Sequence, residues 1–293
     1  MHRAIAAWLT EHPWRAAVAS AVCGALSPQM IMPFPLLAVA IPVLVALRMD
    51  GRTALSVAAT GAAAAGWVLF SVSHPPAWAI AIVALLFFSP VLLALLLKRT
   101  GSMNLCFQVA VLCAGIAVVI VHLVLPDPVA VWTDLLQGAG VKFAGDQDAI
   151  MKALARTMWG ALAAVVLALE FGGLLLGRWW QLLLQAPGAF GAEYRRLRLG
   201  TTLGVAITAL FVLALTTDSS LVASLMWWVA AVALAFQGLA AAHRSKAGGR
   251  LNKGWLAAIY VLLIVPLFTS ITIYVLALWG FADNWLRPRA GLT

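Results

Sequence analysis

The sequence predicts an all-α protein, a polytopic integral membrane bundle of about eight to nine helices. The chain has 293 residues, of which 64% are hydrophobic and only 10% are charged. Soluble domains carry about 25% charged residues, so an ordinary soluble enzyme, a disordered chain and a nucleic-acid-binding module are all excluded. The net charge of +9 comes from basic residues in short connections between apolar stretches, where they set membrane orientation.

Nine apolar segments are predicted to be membrane helices, because a bilayer core requires about 20 apolar residues per crossing. They are 15–27, 34–47, 54–72, 77–97, 104–125, 156–177, 200–217, 220–242 and 255–280. The stretch 53–97 is divided at His74 and the two prolines after it, since proline interrupts helices. The last segment contains Pro266, so it either crosses with a kink or turns back, and the side of the C-terminus stays open.

Basic residues are distributed unequally between the two sides of this arrangement. Fourteen lie on one side and three on the other before the C-terminal tail. The positive-inside rule therefore predicts a bacterial-type inner membrane protein with a cytoplasmic N-terminus. We expect one membrane domain over 1–293. Its outward segment, 126–154, contains a short amphipathic helix, and its inward counterpart is an elbow at 178–199.

The elbow carries the most distinctive residues of the chain. Arg178 and the pair Trp179–Trp180 follow a membrane segment, and Pro187–Gly188 predicts a turn. In the short helix after it, Glu193 can pair with Arg196 one turn on. An aromatic belt with a basic anchor on anionic lipid is one explanation, and a docking surface for a cytoplasmic partner is the other. The elbow residues singled out are Arg178, Trp179, Trp180, Gln181, Pro187, Gly188, Phe190, Gly191, Glu193, Arg195 and Arg198.

The string R-W-W-Q, followed by P-G-x-F-G-x-E-[FY]-R-x-L-R-L, resembles the signature of the YybS-like family of predicted multi-pass membrane proteins of unknown function. The closing stretch, with Asp283 and Arg287, is also similar to that family's pattern. The family is distantly similar to the substrate-capturing membrane subunits of energy-coupling-factor vitamin transporters, which have fewer helices. The resemblance implies a role in binding or transporting a small molecule.

Polar residues inside the apolar segments form a second set of candidates. Glu170 is the only acid within a predicted membrane segment. Such an acid is by default a proton or cation site, and the alternative is a carboxyl kept protonated without a function. Thr269, Ser270 and Thr272 follow the proline of the last segment. They either line a binding site at a broken helix or satisfy carbonyls that the proline frees.

Small residues recur at every fourth position on two segments, which predicts close helix packing. They are Ala17, Ala21 and Ala25 on the first segment, and Ala58, Ala62 and Gly66 on the third. In the transporter subunits named above, such a stripe contacts the coupling partner. In a chain this rich in alanine, internal packing is the simpler explanation.

The sequence lacks the motifs of zinc proteases, P-loop nucleotide hydrolases and α/β-hydrolases, and it has no paired acids on one membrane segment. A cofactor and a metal site are therefore not expected, and an intramembrane enzyme is the least favoured of three functional hypotheses. The first functional prediction is a small-molecule binding or transport component in the lipid bilayer, with a ligand and a membrane partner. The alternative is a scaffold or assembly factor that recruits a cytoplasmic protein through the elbow. A binder is expected to show a closed polar cavity near Glu170, Thr269 and Ser270. A scaffold is expected to show a packed apolar interior, with its exposed residues concentrated on Trp179, Trp180, Phe190 and Arg195.

Overall fold

The computed structural model describes residues 2–29, 33–72, 77–125, 127–138 and 146–286, and within these ranges every regular element is helical. The predicted all-α fold is confirmed. In chain order the helices are α1 (His2–Glu11), α2 (Pro13–Leu26), α3 (Phe34–Arg48), α4 (Gly51–Val72), α5 (Ala77–Thr100), α6 (Met103–Val124), α7 (Pro128–Gly138), α8 (Gln147–Ala155), α9 (Met158–Gln185), α10 (Ala189–Tyr194), α11 (Gly200–Ala214), α12 (Ser220–Ser224), α13 (Ala231–Ala247), α14 (Lys253–Ile264) and α15 (Pro266–Leu286). A 3-10 turn, Ser27–Gln29, follows α2, and a π-helical segment, Leu225–Ala230, joins α12 to α13.

Among the described residues, six helices are long and apolar enough to cross a membrane, as in a multi-pass membrane protein. They are α4, α5, α6, α9, the continuous helix Ser220–Ala247 and α15. Three further apolar helices, α3, α11 and α14, are shorter. The eight to nine crossings expected from the sequence therefore stay a prediction.

The chain folds into two compact units, which are described separately. The first unit is Met1–Cys106 with Ala168–Tyr194, and the second is Phe107–Leu167 with Arg195–Thr293. Helices α6 and α9 each contribute residues to both units. The single membrane domain expected over 1–293 stays a prediction.

The first unit is organised around α3, which is buried at every position from 38 to 47. A helix that is apolar all round is stable only when other helices cover it. Gly173 and Gly177 of α9 lie directly against Val39 and Val43, so that a Cβ atom at either glycine would collide with a valine side chain. The glycines therefore let α9 approach α3 closely.

The carbonyl groups at the end of α3 receive side-chain donors from two other helices. The Nζ of Lys98 on α5 donates to the carbonyls of Ala46, at 3.2 Å, and Met49, at 2.6 Å. The Nε2 of Gln181 on α9 donates to the carbonyl of Leu47 at 3.3 Å. These bonds satisfy groups that every helix leaves unpaired at its C-terminus.

The start of α4 is capped by Asp50, which lies in the connection after α3. The carboxylate accepts hydrogen bonds from the backbone N–H of Thr53 at 2.9 Å and from its hydroxyl at 2.7 Å. Because both bonds favour the charged form, they hold the pKa of Asp50 below its ordinary value. This arrangement is an N-terminal helix cap.

Helices α2 and α4 pack through small residues, but the stripes are not the ones expected. The buried face of α2 comprises Ala16, Ser20, Cys23 and Gly24, and that of α4 comprises Ala54, Val57, Ala58, Gly61 and Ala65. Of the predicted residues only Ala58 belongs to these faces, and no atom lies within 4 Å of a Cβ built at Gly66. The error is one of register, because in an alanine-rich helix several stripes have the same spacing.

In the second unit α13 and α15 run in the same direction. The Tyr274 hydroxyl of α15 donates to the carbonyl of Trp227, before α13, at 3.1 Å. Near the other end, Arg244 of α13 forms an ion pair with Asp283 of α15. Between these points Gly238 and Gly280 bring the two backbones into contact.

Helix α14 returns the chain from the end of α13 to the start of α15. It has 12 residues, about 18 Å at the α-helical rise, which is too short for a bilayer core of about 30 Å. Its Tyr260 hydroxyl lies 2.7 Å from the Nε2 of His243, near the end of α13. The chain is extended at Val265, with φ −78° and ψ 114°, and α15 starts at Pro266. The last predicted segment is therefore two helices, and α15 ends at the same end of this unit as α13.

The segment 126–154, expected from the sequence to face outward, contains two short helices, α7 and α8, where the sequence predicted a loop with one amphipathic helix. Residues 139–145 between them lie outside the described ranges. The indole N–H of Trp159 donates to the carbonyl of Pro128 at 2.8 Å. Arg156, after α8, forms an ion pair with Asp218 at 2.6 Å.

Candidate functional site

The predicted elbow residues of the first unit bond to one another. The Nε of Arg178 donates to the Glu193 carboxylate at 3.0 Å, and its NH1 donates to the Oε1 of Gln181 at 2.7 Å. The expected pairing of Glu193 with Arg196 is wrong: its partner is Arg178, on the preceding helix. Gln181 is buried, because it also caps α3.

The aromatic residues of the elbow have different environments. Trp180 is 5% exposed, so its indole packs inside the protein, whereas a belt tryptophan faces the bilayer surface. Trp179 is partly exposed and makes a tilted ring contact with His2 at 5.3 Å. Phe190 stacks on Tyr194, with ring centroids 5.9 Å apart.

The turn between α9 and α10 is the exposed tip of the elbow. Pro187 and Gly188 are exposed, and Gly191 is partly covered. Gly188 has a φ of +92°, a conformation that L-residues with a side chain rarely adopt. The predicted turn at Pro187–Gly188 therefore depends on that glycine.

The remaining elbow residues belong to a polar cluster in the second unit, which we call the junction cluster. Its centre is Gln237 on α13, which is fully buried. The Oε1 of Gln237 accepts from the backbone N–H of Leu199 at 2.9 Å. Its Nε2 donates to Asp283 at 3.2 Å and to Asn284 at 3.4 Å. One amide side chain thus connects the 195–200 connection to both α13 and α15.

The predicted residues Arg195, Arg198 and Asp283 meet in the junction cluster. Arg198 donates to the carbonyl of Asn284 at 3.0 Å. Arg244 donates to the carbonyl of Arg195 at 2.7 Å and pairs with Asp283. The structure therefore brings the elbow arginines and the C-terminal motif together, as parts of one internal network. Arg287, the other C-terminal motif residue, lies outside the described residues.

Sequence reasoning missed Gln237, Asn284 and Gln108, whose Nε2 donates to the carbonyl of Leu199 at 2.9 Å. Gln108 and Gln237 lie within predicted apolar segments. An amide in such a segment needs a partner, which is a signal that could have identified both.

The intramembrane acid Glu170 is paired with a second polar side chain of the first unit. It is 5% exposed and accepts a hydrogen bond from the hydroxyl of Ser89 on α5. Ser89 immediately precedes Pro90, which lies inside α5. The sequence did not identify Ser89, although a serine beside a proline in an apolar helix is a visible signal.

The hydroxyls near Pro266 do not meet Glu170 within one unit, because Glu170 belongs to the first unit and they belong to the second. The Thr269 hydroxyl donates to the carbonyls of Leu263 at 3.1 Å and Val265 at 2.9 Å. The Thr272 hydroxyl donates to Phe268 at 2.8 Å, and Ser270 is exposed on α15. Thr269 thus bonds to carbonyls just before Pro266, as the second of the two roles requires, whereas Thr272 bonds to the carbonyl four residues back in its own helix, which the proline does not free.

Three cavities of the second unit have defined linings. The outer cavity, of about 510 Å³, is lined by charged residues that include Asp127, Asp134 and Lys152. The basic cavity, of about 560 Å³, lies at the ends of α13 and α15. An apolar groove of about 360 Å³ lies between α11, the π-helical segment and α15. Neither Glu170 nor the hydroxyls near Pro266 line any of the three, so none of these is the polar cavity expected of a binder.

Within the described ranges, no group of three or more His, Cys, Asp or Glu side chains is placed to hold a metal ion. Comparison of the chain with protein-family models, with curated proteins and with solved structures found no match. The resemblance to the YybS-like family therefore rests on the motif residues alone and stays a prediction.

Proposed function

We propose that this protein is a multi-pass component of a bacterial-type cytoplasmic membrane that binds or transports a small molecule through Glu170. The observation that carries the proposal is the burial of this carboxyl in a helix of membrane-spanning length, with a hydroxyl of α5 as its partner. A carboxyl in the apolar part of a membrane is costly to keep, and such residues generally mark proton, ion or substrate paths.

The pair formed by Glu170 and Ser89 offers three oxygen atoms from two helices. In the carboxylate form, Glu170 accepts a hydrogen bond from the Ser89 hydroxyl. A proton or a small cationic group that binds there would be held by carboxyl oxygens, with the hydroxyl oxygen as a further acceptor. The pair therefore suits a cation or the cationic part of a substrate.

Native mass spectrometry of the detergent-purified protein tests this function. We expect a small molecule to remain bound to the wild-type protein and to be lost from Glu170→Gln. Ser89→Ala should bind it more weakly, because one of the three oxygens is missing. Glu11→Gln is the matched control, since it makes the same chemical change on the partly exposed α1. Retention of the same molecule by Glu170→Gln would remove Glu170 from the mechanism, and lipid alone on the wild type would contradict binding.

The orientation follows from charge and from the path of the last helices. Fourteen basic residues against three support a cytoplasmic N-terminus, and four of the fourteen lie in the stretch 244–253 at the end of α13. Because α15 ends beside that stretch, we propose that the C-terminus is cytoplasmic too. A fluorescent protein fused to either end should be fluorescent in cells, whereas periplasmic alkaline phosphatase at either end should be inactive. The opposite pattern at the C-terminus would contradict the path of the chain in which α14 leads back and α15 runs in the same direction as α13.

The alternative, a scaffold that recruits a cytoplasmic protein through the elbow, has less support. Arg178, Gln181 and Glu193 bond within their own unit, and Trp180 is buried. What the elbow leaves exposed is mainly its tip. Recruitment would therefore have to depend on Pro187–Gly188, and loss of a co-purified protein on shortening this turn would favour the scaffold.

A further inference from the structure

The basic cavity combines a charged wall with an apolar wall. Its polar side is formed by Arg244, Ser245 and Arg250, at the end of α13 and in the connection after it, and by Asp283 of α15. Its apolar side includes Trp279 and Leu286 of α15. The volume, about 560 Å³, is within the range of about 300–1,000 Å³ that small-molecule sites occupy.

The two arginines of this cavity differ in how their charge is compensated. Arg244 is held in place by the ion pair with Asp283 and by its hydrogen bond to the carbonyl of Arg195. Arg250 is exposed, and its guanidinium makes no ion pair with any described residue. Arg250 therefore supplies the uncompensated positive charge of the cavity.

The surrounding sequence reinforces this positive charge. From Asp218 to Asp283 the chain contains no other acid, whereas the stretch 244–253 contains Arg244, Lys246, Arg250 and Lys253. Two of these basic residues, Arg244 and Arg250, line the cavity, and the one acid that lines it, Asp283, is paired with Arg244. The cavity therefore favours an anionic ligand.

The apolar wall indicates what kind of anion. Trp279 is one turn of α15 from the residues that pair with α13, and tryptophan is typical of the level at which lipid headgroups meet acyl chains. Leu286, at the end of the same wall, is 81% exposed. A small hydrophilic anion would gain no binding free energy from contact with these apolar side chains. A phospholipid would place its phosphate at Arg250 and its acyl chains along Trp279 and Leu286.

We infer that the basic cavity is a binding site for an anionic phospholipid, whose phosphate is held by Arg250 with the Ser245 hydroxyl and whose glycerol and first acyl carbons lie against Trp279. This site is independent of Glu170, so it goes beyond the proposed transport function. Anionic headgroups are attracted by about 1 kcal/mol for each basic residue near the membrane surface, which corresponds to about five-fold in the dissociation constant.

Native mass spectrometry of delipidated protein, titrated with dioleoyl phosphatidylglycerol, tests the inference. Arg250→Gln should weaken binding of the first lipid about five-fold. Arg52→Gln, an exposed arginine at the start of α4, is the matched control and should bind like the wild type. An equal loss in both variants would overturn the site, because general surface charge would then explain the binding.

Two further experiments identify the class of ligand and the location of its binding site. Phosphatidylcholine, which carries a phosphate but no net charge, should bind more weakly than phosphatidylglycerol, and 10-fold excess inorganic phosphate should not displace the lipid. Equal binding of the two lipids, or displacement by phosphate, would overturn the assignment. Ala282→Leu narrows the cavity without removing charge. It should abolish retention of the lipid at an unchanged unfolding temperature, and full retention would overturn the location.

Discussion

The contact between α13 and α15 makes a quantitative prediction for Gly238. A Cβ atom at this position would lie 2.8 Å from the carbonyl carbon of Leu276, closer still to its oxygen, and 3.1 Å from the amide nitrogen of Gly280. Carbon atoms in contact are normally about 3.5–4.0 Å apart. Because the obstructing atoms are backbone, no side-chain rotation relieves the collision. Gly238→Ala must therefore move the two helices apart by about 1 Å.

The expected cost follows from two opposing effects. Overpacking costs about 1–3 kcal/mol, and a backbone obstacle places Gly238→Ala at the upper end of that range. Alanine is favoured over glycine in a helix by about 1 kcal/mol, which offsets part of the cost. The free energy of unfolding should fall by about 2 kcal/mol.

Titration with sodium dodecyl sulfate in mixed micelles, followed by circular dichroism, measures this change. Gly66→Ala on α4 is the matched control, because no neighbouring atom lies within 4 Å of its Cβ position. The control should be unchanged or more stable by up to about 1 kcal/mol. If Gly238→Ala were as stable as Gly66→Ala, the close parallel packing of α13 on α15 would be refuted.

Three further predictions concern polar groups. Gln237→Leu leaves the buried N–H of Leu199 unpaired and should lower the free energy of unfolding by about 2–3 kcal/mol. The control Gln185→Leu, at the exposed end of α9, should change it by less than about 0.5 kcal/mol. Equal losses of stability in the two variants would contradict the junction cluster. Glu193→Gln should lower the free energy of unfolding, measured by thermal unfolding, by about 1 kcal/mol. In a protein that already carries Arg178→Gln, the same change should lower it by almost nothing. Additive losses in the double variant would refute the ion pair. Folding lowers the pKa of Asp50, which caps α4. The cap should therefore stabilise the fold fully above the unfolded pKa of about 4, and this stabilisation should be lost as the pH falls through the folded pKa. Asp50→Asn should lower the unfolding temperature at pH 7 and leave it unchanged well below pH 3.

Hydropathy was sufficient to place the helices, and Pro266 marked the interruption of the last segment, but the direction of the chain after it stayed open. Every predicted segment except the last corresponds to one continuous helical stretch, because long charge-free stretches have few other structures available in a membrane. For the final segment the sequence left open whether the chain kinks, tilts or turns back at Pro266, since apolar residues continue on both sides of it. A proline marks only a change of helix direction. Whether the chain continues or returns depends on Gly238 and Gly280, which lie far apart in sequence.

The site was less predictable, because the roles of its residues depend on distant partners. The elbow motif looked like a surface, yet Arg178 and Gln181 are used to hold α10 and α3. Leu199 receives its side-chain partners from Gln237, 38 positions later, and Gln108, 91 positions earlier. No local pattern contains such pairings. Glu170 could be identified alone, because a single acid in an apolar helix is conspicuous without knowledge of its partner.

The division of the chain has a consequence for biosynthesis. The first unit is interrupted by Phe107–Leu167, which are 61 residues (167 − 107 + 1). At about 5–20 residues per second, a ribosome needs about 3–12 s to make them. During this interval α3 and Ser89 have already emerged, but Gly173, Gly177 and Glu170 do not yet exist. The nascent first unit must therefore wait with the α9-facing side of α3, around Val39 and Val43, uncovered, and a membrane insertase or surrounding lipid has to occupy that surface until α9 arrives.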